Sequence, residues 1–206
     1  NVYVETMRQI STPEILNKAG TVTFPWQPDH GDLSIHRIEI LRGDTRIDVL
    51  GKGDDLTVLR REAGLERLMV NGQLTAVKHV PDLRVGDTLR IAFSVTSRDA
   101  LLKGHVQDAL VLFPAPIRMG FGRARLIWPR TRPLNVKSLL PGVTVAPVAS
   151  GDRNEVSVTL PVARIPDLPA NFPERFRPQP LLLFSDFADW SEVAAVMAPL
   201  YRTEGT

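Results

Sequence analysis

Thr88-Leu-Arg-Ile-Ala-Phe-Ser-Val-Thr96 alternates strictly, with Leu89, Ile91, Phe93 and Val95 on one face and Thr88, Arg90, Ala92, Ser94 and Thr96 on the other. A period of two is that of a half-buried strand. Asn154 to Leu160 repeats it with Val156, Val158 and Leu160 inward, just after the turn signal Gly151-Asp-Arg-Asn154. Between Leu33 and Leu41 the apolar positions are first Leu33 and Ile35, then Ile38 and Ile40, so the phase changes once around Arg37. One extra residue in a strand does this, which predicts a β-bulge. Leu65 to Val70 and Gln73 to Val80 flank Asn71-Gly72, a dipeptide suited to a two-residue hairpin turn.

Shorter strands are predicted near 21–24, 46–50, 56–60, 109–113, 121–128, 134–140 and 143–148, with Gly or Pro in most gaps. Many short strands with helix confined to the ends predict an all-β fold, a many-stranded antiparallel β-sandwich with a short C-terminal helix. Thr12-Pro13, with Gly20 beyond, brackets a short helix near the start.

Prolines at 161, 166, 169, 173, 178 and 180 disfavour regular pairing and predict an extended strap. Leu168, Phe172 and Phe176 lie among them and are expected to hold it against the sandwich. The domain is therefore expected to span 1–180, strap included. Residues 181–206 then form a strand and helix junction leading to a downstream domain outside this chain. In that helix Asp189 is the expected N-cap with Glu192 three residues on, and Trp190, Val193, Ala194, Met197 and Tyr201 fall on one stripe. Such a stripe calls for burial, on this sandwich or on the next domain. Pro199 should end or kink the helix.

The 206 residues suffice for one all-β domain. A net charge of +2 gives no reason to expect nucleic acid as a partner. Cys is 0, which removes disulfides, thiolate metal sites and cysteine nucleophiles from this chain. No apolar run is long enough for a membrane span. The chain opens on Asn1 rather than Met, so a trimmed or mature fragment that has lost its address segment is expected.

Four ordered blocks carry a resemblance: Leu65-Glu-Arg-Leu-Met-Val-Asn-Gly-Gln-Leu-Thr-Ala76, Asp82-Leu-Arg-Val-Gly-Asp-Thr-Leu-Arg-Ile91, Arg123-Ala-Arg-Leu-Ile-Trp128 and Leu183-Phe-Ser-Asp-Phe-Ala-Asp-Trp190. Over roughly residues 30 to 201 the chain resembles a bacterial domain of unknown function that precedes transglutaminase-like domains. The resemblance implies a non-catalytic N-terminal β-sandwich, an interaction or scaffold module of a periplasmic or otherwise extracytoplasmic protein. Its implied partner is a downstream transglutaminase-like domain of papain-like fold in the same polypeptide, with an envelope glycan or protein as a further partner. A catalytic cysteine has no counterpart here, so thiol acyl transfer cannot occur in this fragment.

Candidate chemistry is sparse. His30, His36, His79 and His105 are the only imidazoles and none forms a metal-binding pair, so neither a metal nor a cofactor is expected. Asp29-His30-Gly31-Asp32 reads as a solvated turn after Pro28. Gly51-Lys-Gly-Asp-Asp55 lacks the spacing of a phosphate loop, and Arg42-Gly43-Asp44 lies where a turn is required in any case. The most suggestive surface is Arg123, Arg125, Trp128, Arg130 and Arg132, where guanidinium groups at period two beside an aromatic suit an anionic glycan or a neighbouring domain. The bland alternative pairs these arginines with cross-strand carboxylates and puts Trp128 in the core. The second candidate surface is the interdomain helix face of Trp190, Val193, Met197 and Tyr201. The alternative function is a carbohydrate-binding sandwich of the envelope, weakened by an aromatic content of only 6%.

Overall fold

The computed structural model describes residues 1–51, 56–60, 72–169 and 171–201. The fold is all-β, with every ladder antiparallel and one isolated parallel bridge between Pro114 and Val162. The chain divides into two compact units, Asn1–Asp99 and Ala100–Thr206, where the hydrophobic pattern predicted one body over 1–180. Each unit closes its own core, which a reading of strand periodicity alone does not separate.

In the first unit β1 (Val2–Gln9) is followed by α1 (Pro13–Ala19), β2 (Thr21–Trp26), β3 (Leu33–Arg42), β4 (Thr45–Asp48), β5 (Thr57–Arg60), β6 (Leu74–His79) and β7 (Thr88–Val95). One sheet runs β1-β7-β3-β4 and the other β2-β6-β5. Helix α1 begins as its sequence predicts, with the Ile15 N–H donating to Thr12 Oγ1 at 3.3 Å and Pro in the first turn. The predicted phase change is a bulge: the register of β3 on β7 slips between Ile35 and Arg37. His36 is the extra residue, and its ring is 2.7 Å from the Ser94 hydroxyl. The slip lets Ile38 and Ile40 reach the core, where both are fully buried beside Phe24, Ile10 and Leu89. Phe24 meets Phe93 edge to face at 5.1 Å, so the two sheets share that core.

Of the predicted hairpin, the second arm is β6. The first, Leu65 to Val70, lies outside the described residues, as do residues 52–55 of the glycine and lysine loop. Strand β1 has no predicted counterpart, because its apolar residues are split between both faces and seven of its eight residues are exposed.

The turn between β6 and β7 is held by charge. Arg42 donates from Nε and Nη2 to the two Asp87 oxygens, and from Nη2 to the Asp82 carbonyl. The Arg84 N–H donates to Asp87 as well. The arginine of Arg42-Gly43-Asp44 is therefore a structural clamp, and Gly43, at φ +56°, turns β3 into β4.

In the second unit come β8 (Gln107–Val111), β9 (Gly122–Pro129), β10 (Asn135–Ser138), β11 (Val148–Ser150), β12 (Arg153–Leu160), β13 (Leu181–Ser185) and α2 (Trp190–Met197). The sheets are β10-β13-β8 and β11-β12-β9. Val156, Val158 and Leu160 point inward as their alternation predicts, joining Leu112, Trp128, Leu140 and Leu182. The strand predicted at 143–148 begins only at Val148, since Pro147 has no N–H to give a ladder. The strap docks through Val162 and Ile165, the Val162 N–H donating to the Phe113 carbonyl. Leu168 and Phe172 are half-buried, but Phe176 is exposed under the Arg175 guanidinium, a correction to its predicted packing.

Candidate functional site

The five residues expected to form one surface on and after β9 are separated by their own strand. Arg123, Arg125 and Ile127 point outward, while Ala124, Leu126 and Trp128 face the core. Trp128 is buried beside Leu182 and Val156 and is withdrawn from the candidate surface; position 128 is odd-numbered steps from 123 and 125, so a pleated strand sends it to the opposite face. Arg125 donates from Nε and Nη2 to the Glu155 carboxylate at 2.8 and 2.6 Å. That pairing holds the Glu155 carboxyl below its ordinary range against a smaller opposing effect of burial, with the Arg125 and Arg123 charges adding to it. Arg130 contributes a backbone N–H to the Asp152 carbonyl. No anion-binding cluster of five residues forms.

Arg132 is engaged elsewhere, and its partner marks the better site. Asp186 follows β13 directly, and its carboxylate is almost fully buried. It accepts from Arg132 Nε at 2.7 Å, from the Val106 N–H at 2.9 Å and from His105 Nδ1 at 3.1 Å. Burial pushes the Asp186 carboxyl up, but these hydrogen bonds together outweigh it and hold the group below its ordinary range. An ionised carboxylate only accepts, so the proton of that contact sits on His105 Nδ1. The imidazole stacks on Phe187 with centroids 4.2 Å apart, and its Nε2 is 3.7 Å from Glu192.

Glu192 ties this hub to α2. Its carboxylate accepts from the Ala188 N–H at 2.7 Å, while its own N–H donates to the Asp189 side chain at 2.9 Å, the N-cap that the sequence predicts. Asn135 donates to the Phe187 carbonyl at 3.1 Å and fixes the same corner from β10. The helix thus leaves the sheet at an angle set by one buried carboxylate and its partners. After Met197 it tightens into a 3-10 turn, Ala198–Tyr201, around Pro199.

The expected apolar stripe of α2 is only partly buried. Val196 faces inward with Val193 and Met197 half-buried, whereas Trp190 is 85% exposed and Tyr201 82%. Trp190 and Ala194, four positions apart, share an exposed face of α2, and Tyr201 is exposed in the 3-10 turn beyond it, with Leu200 half exposed beside it. The sequence reading found α2 and its aromatics but not the hub, because His105 and Asp186 are 81 residues apart and no local spacing connects them. Asp186 does lie within the block Leu183 to Trp190, the one signal that marked it.

Among the described residues no three His, Asp or Glu side chains gather in a way that could hold a metal ion. No described helix is long and apolar enough to cross a membrane.

Residues 1–166 match the family described as Domain of Unknown Function with solved-structure structure (DUF3857). Comparison with curated proteins returned no match. Among solved structures the chain is similar to a crystal structure described as that of a putative protease from Parabacteroides distasonis ATCC 8503, with a TM-score of 0.70 at 16% identity. The likeness covers 98% of this chain and 40% of that one, so the chain spans about two fifths of the length of the structure it matches. At that identity the likeness is one of fold.

Proposed function

The chain belongs to the DUF3857 family, a domain of unknown function, and from that membership we propose that it is the non-catalytic N-terminal module of a longer bacterial envelope protein. Its role is to hold or shield a downstream transglutaminase-like domain, which docks on the exposed face of α2 and the turn that follows it. The observation that carries this reading is the exposure, more than four-fifths, of Trp190 at the start of α2 and of Tyr201 in the turn that ends it, on a segment that leaves the sheet beside the Asp186 hub. Large aromatics rigidly presented and uncovered are typical of the central anchors of protein interfaces. The similar solved chain, described as a putative protease, is longer than this one, which covers 40% of it, and that length supports a further domain beside this module.

A non-catalytic role is supported by the hub itself. His105 is oriented by a carboxylate, as the base of a catalytic triad would be, but its other nitrogen faces the Glu192 carboxylate instead of a hydroxyl or thiol. Ser185 Oγ nearby accepts from the Phe187 N–H at 3.3 Å.

The test is to produce this chain and the downstream portion of its parent polypeptide separately and titrate one with the other. Association that weakens about tenfold or more in Trp190→Ala/Tyr201→Ala, with the melting temperature unchanged, is the expected outcome. Absence of association, or a downstream sequence without ordered Cys, His and Asp motifs, would overturn the proposal.

A further inference from the structure

The ladder of β11 on β12 stops short and leaves an opening in the second unit. Val148, Ala149 and Ser150 pair with Glu155, Asn154 and Arg153, and there the pairing ends, although β12 runs on to Leu160. Continued at the same register, Ala146 would face Ser157 and Thr144 would face Thr159. Val143 and Val145 still turn onto the core with Thr144 exposed between them, so residues 143–145 keep the alternation of a strand. They do not join β12. Between the two segments lies a groove of about 360 Å³, lined on one side by Val143, Thr144 and Val145 and on the other by Ser157 and Thr159, with Ala163 also contributing.

The parity of β12 shows which of its main-chain groups are open. In an antiparallel ladder the N–H and C=O of one residue point to the same neighbour, and successive residues alternate between neighbours. The Arg130 N–H donates to the Asp152 carbonyl, so the even-numbered residues that follow, Asn154 to Leu160, face β9. Arg153 and Glu155 face β11, and Ser157 and Thr159 face the groove. The main-chain groups of these last two make no hydrogen bond to another described residue across it, and neither do those of Thr144 and Ala146. Donors and acceptors repeating every second residue, roughly 6.8 Å apart, are the pattern that another extended backbone completes. The outer edge of β9 is open as well, but Arg123 and Arg125 stand on it, and charged edge residues discourage pairing.

We infer that this groove takes an extended segment of another polypeptide as an added strand on β12. Alternate side chains of that segment would meet the inward valines, Val143, Val145 and Val158, and the exposed hydroxyls of Thr144, Ser157 and Thr159, so apolar and hydroxyl-bearing residues in alternation fit it. The inference shares no residue with the exposed face of α2 and stands or falls separately from the docking role.

Titration of the whole chain with three end-capped peptides tests it: alternating threonine and valine, serine and leucine, and threonine and alanine, each with a lysine at both ends. Amide exchange is the structural readout. In the free chain the Ser157 and Thr159 amides should exchange about tenfold or more faster than those of Val156 and Val158, and a bound peptide should slow them by a similar factor. At least one peptide should saturate. Methylating its central nitrogens should weaken it about tenfold, as should Thr159→Pro, whose lost N–H is not one that the ladder to β9 uses. Ala163→Trp, at an exposed position, crowds the groove and serves in place of Thr159→Pro if that variant does not fold. Trp190→Ala should bind like the wild type. Slow exchange of Ser157 and Thr159 in the free chain, failure of every peptide to saturate, or affinity unaltered by N-methylation or in Ala163→Trp would overturn the inference. So would protection of the two amides that grows with the concentration of the chain alone, which would make a second copy the occupant.

Discussion

The Asp87 carboxylate receives the Arg42 guanidinium side-on, Nε to Oδ1 at 2.9 Å and Nη2 to Oδ2 at 2.8 Å, with the carboxylate 4% exposed. Two parallel charge-assisted bonds of this geometry are the strong kind, and here they bind the end of β3 to the turn before β7. Arg42 holds the Asp87 carboxyl below its ordinary range, against burial and with help from the Arg84 N–H. The folded carboxyl thus binds its proton less tightly than the unfolded one. Its contribution to stability is complete above the unfolded pKa of about 3.9 and is lost as pH falls through the lower folded value. Asp87→Asn should cost about 1–3 kcal/mol at pH 7, and the gap to the wild type should close in denaturant melts below about pH 4.

Asp186 predicts a local effect as well as a global one. Asp186→Ala leaves Arg132, His105 and the Val106 N–H without their shared acceptor, at an expected cost of about 2–4 kcal/mol. Amide exchange in α2 should accelerate more than exchange in β12, since the hub positions the helix and not that strand.

The two tryptophans of the second unit should behave oppositely. Trp128→Ala removes a buried core side chain and should destabilise by about 3–5 kcal/mol, whereas Trp190→Ala should alter stability by less than about 0.5 kcal/mol. Acrylamide should quench Trp190 freely and Trp128 hardly at all.

Gly31→Ala should destabilise the first unit by about 1–3 kcal/mol, because the added methyl would meet a backbone carbonyl that cannot turn aside. Thermal melts measure it. Gly104→Ala, with open space around it but φ at +89°, should cost about 1 kcal/mol through backbone strain alone.

Local pattern carried the fold well wherever one face was buried. The inward sets of β7 and β12, the cap of α1 and the slip at Arg37 all follow from spacings of a few residues, which is the range over which pleat and helix pitch act. β1 escaped prediction because an edge strand wetted on both faces has no such contrast. Trp128 was grouped with Arg123 and Arg125 by proximity along the chain, although the parity of the strand already opposed it. The hub of Asp186, His105 and Arg132 depends on which distant segments meet, and that is decided by tertiary packing. The division into two units has the same origin, since each core recruits its own set of alternating strands.

Val2 lies opposite Val95 in the ladder of β1 on β7. During synthesis at ~5–20 residues per second the first strand leaves the ribosome roughly 5–20 s before β7, its neighbour in the sheet among the described residues, exists. Until then Val2, Tyr3 and Val4 belong to a nascent segment with nothing to zip onto, and the unit cannot finish before its final strand is delivered. Closure of the first unit is therefore a late, non-local event that ties its earliest residues to its last.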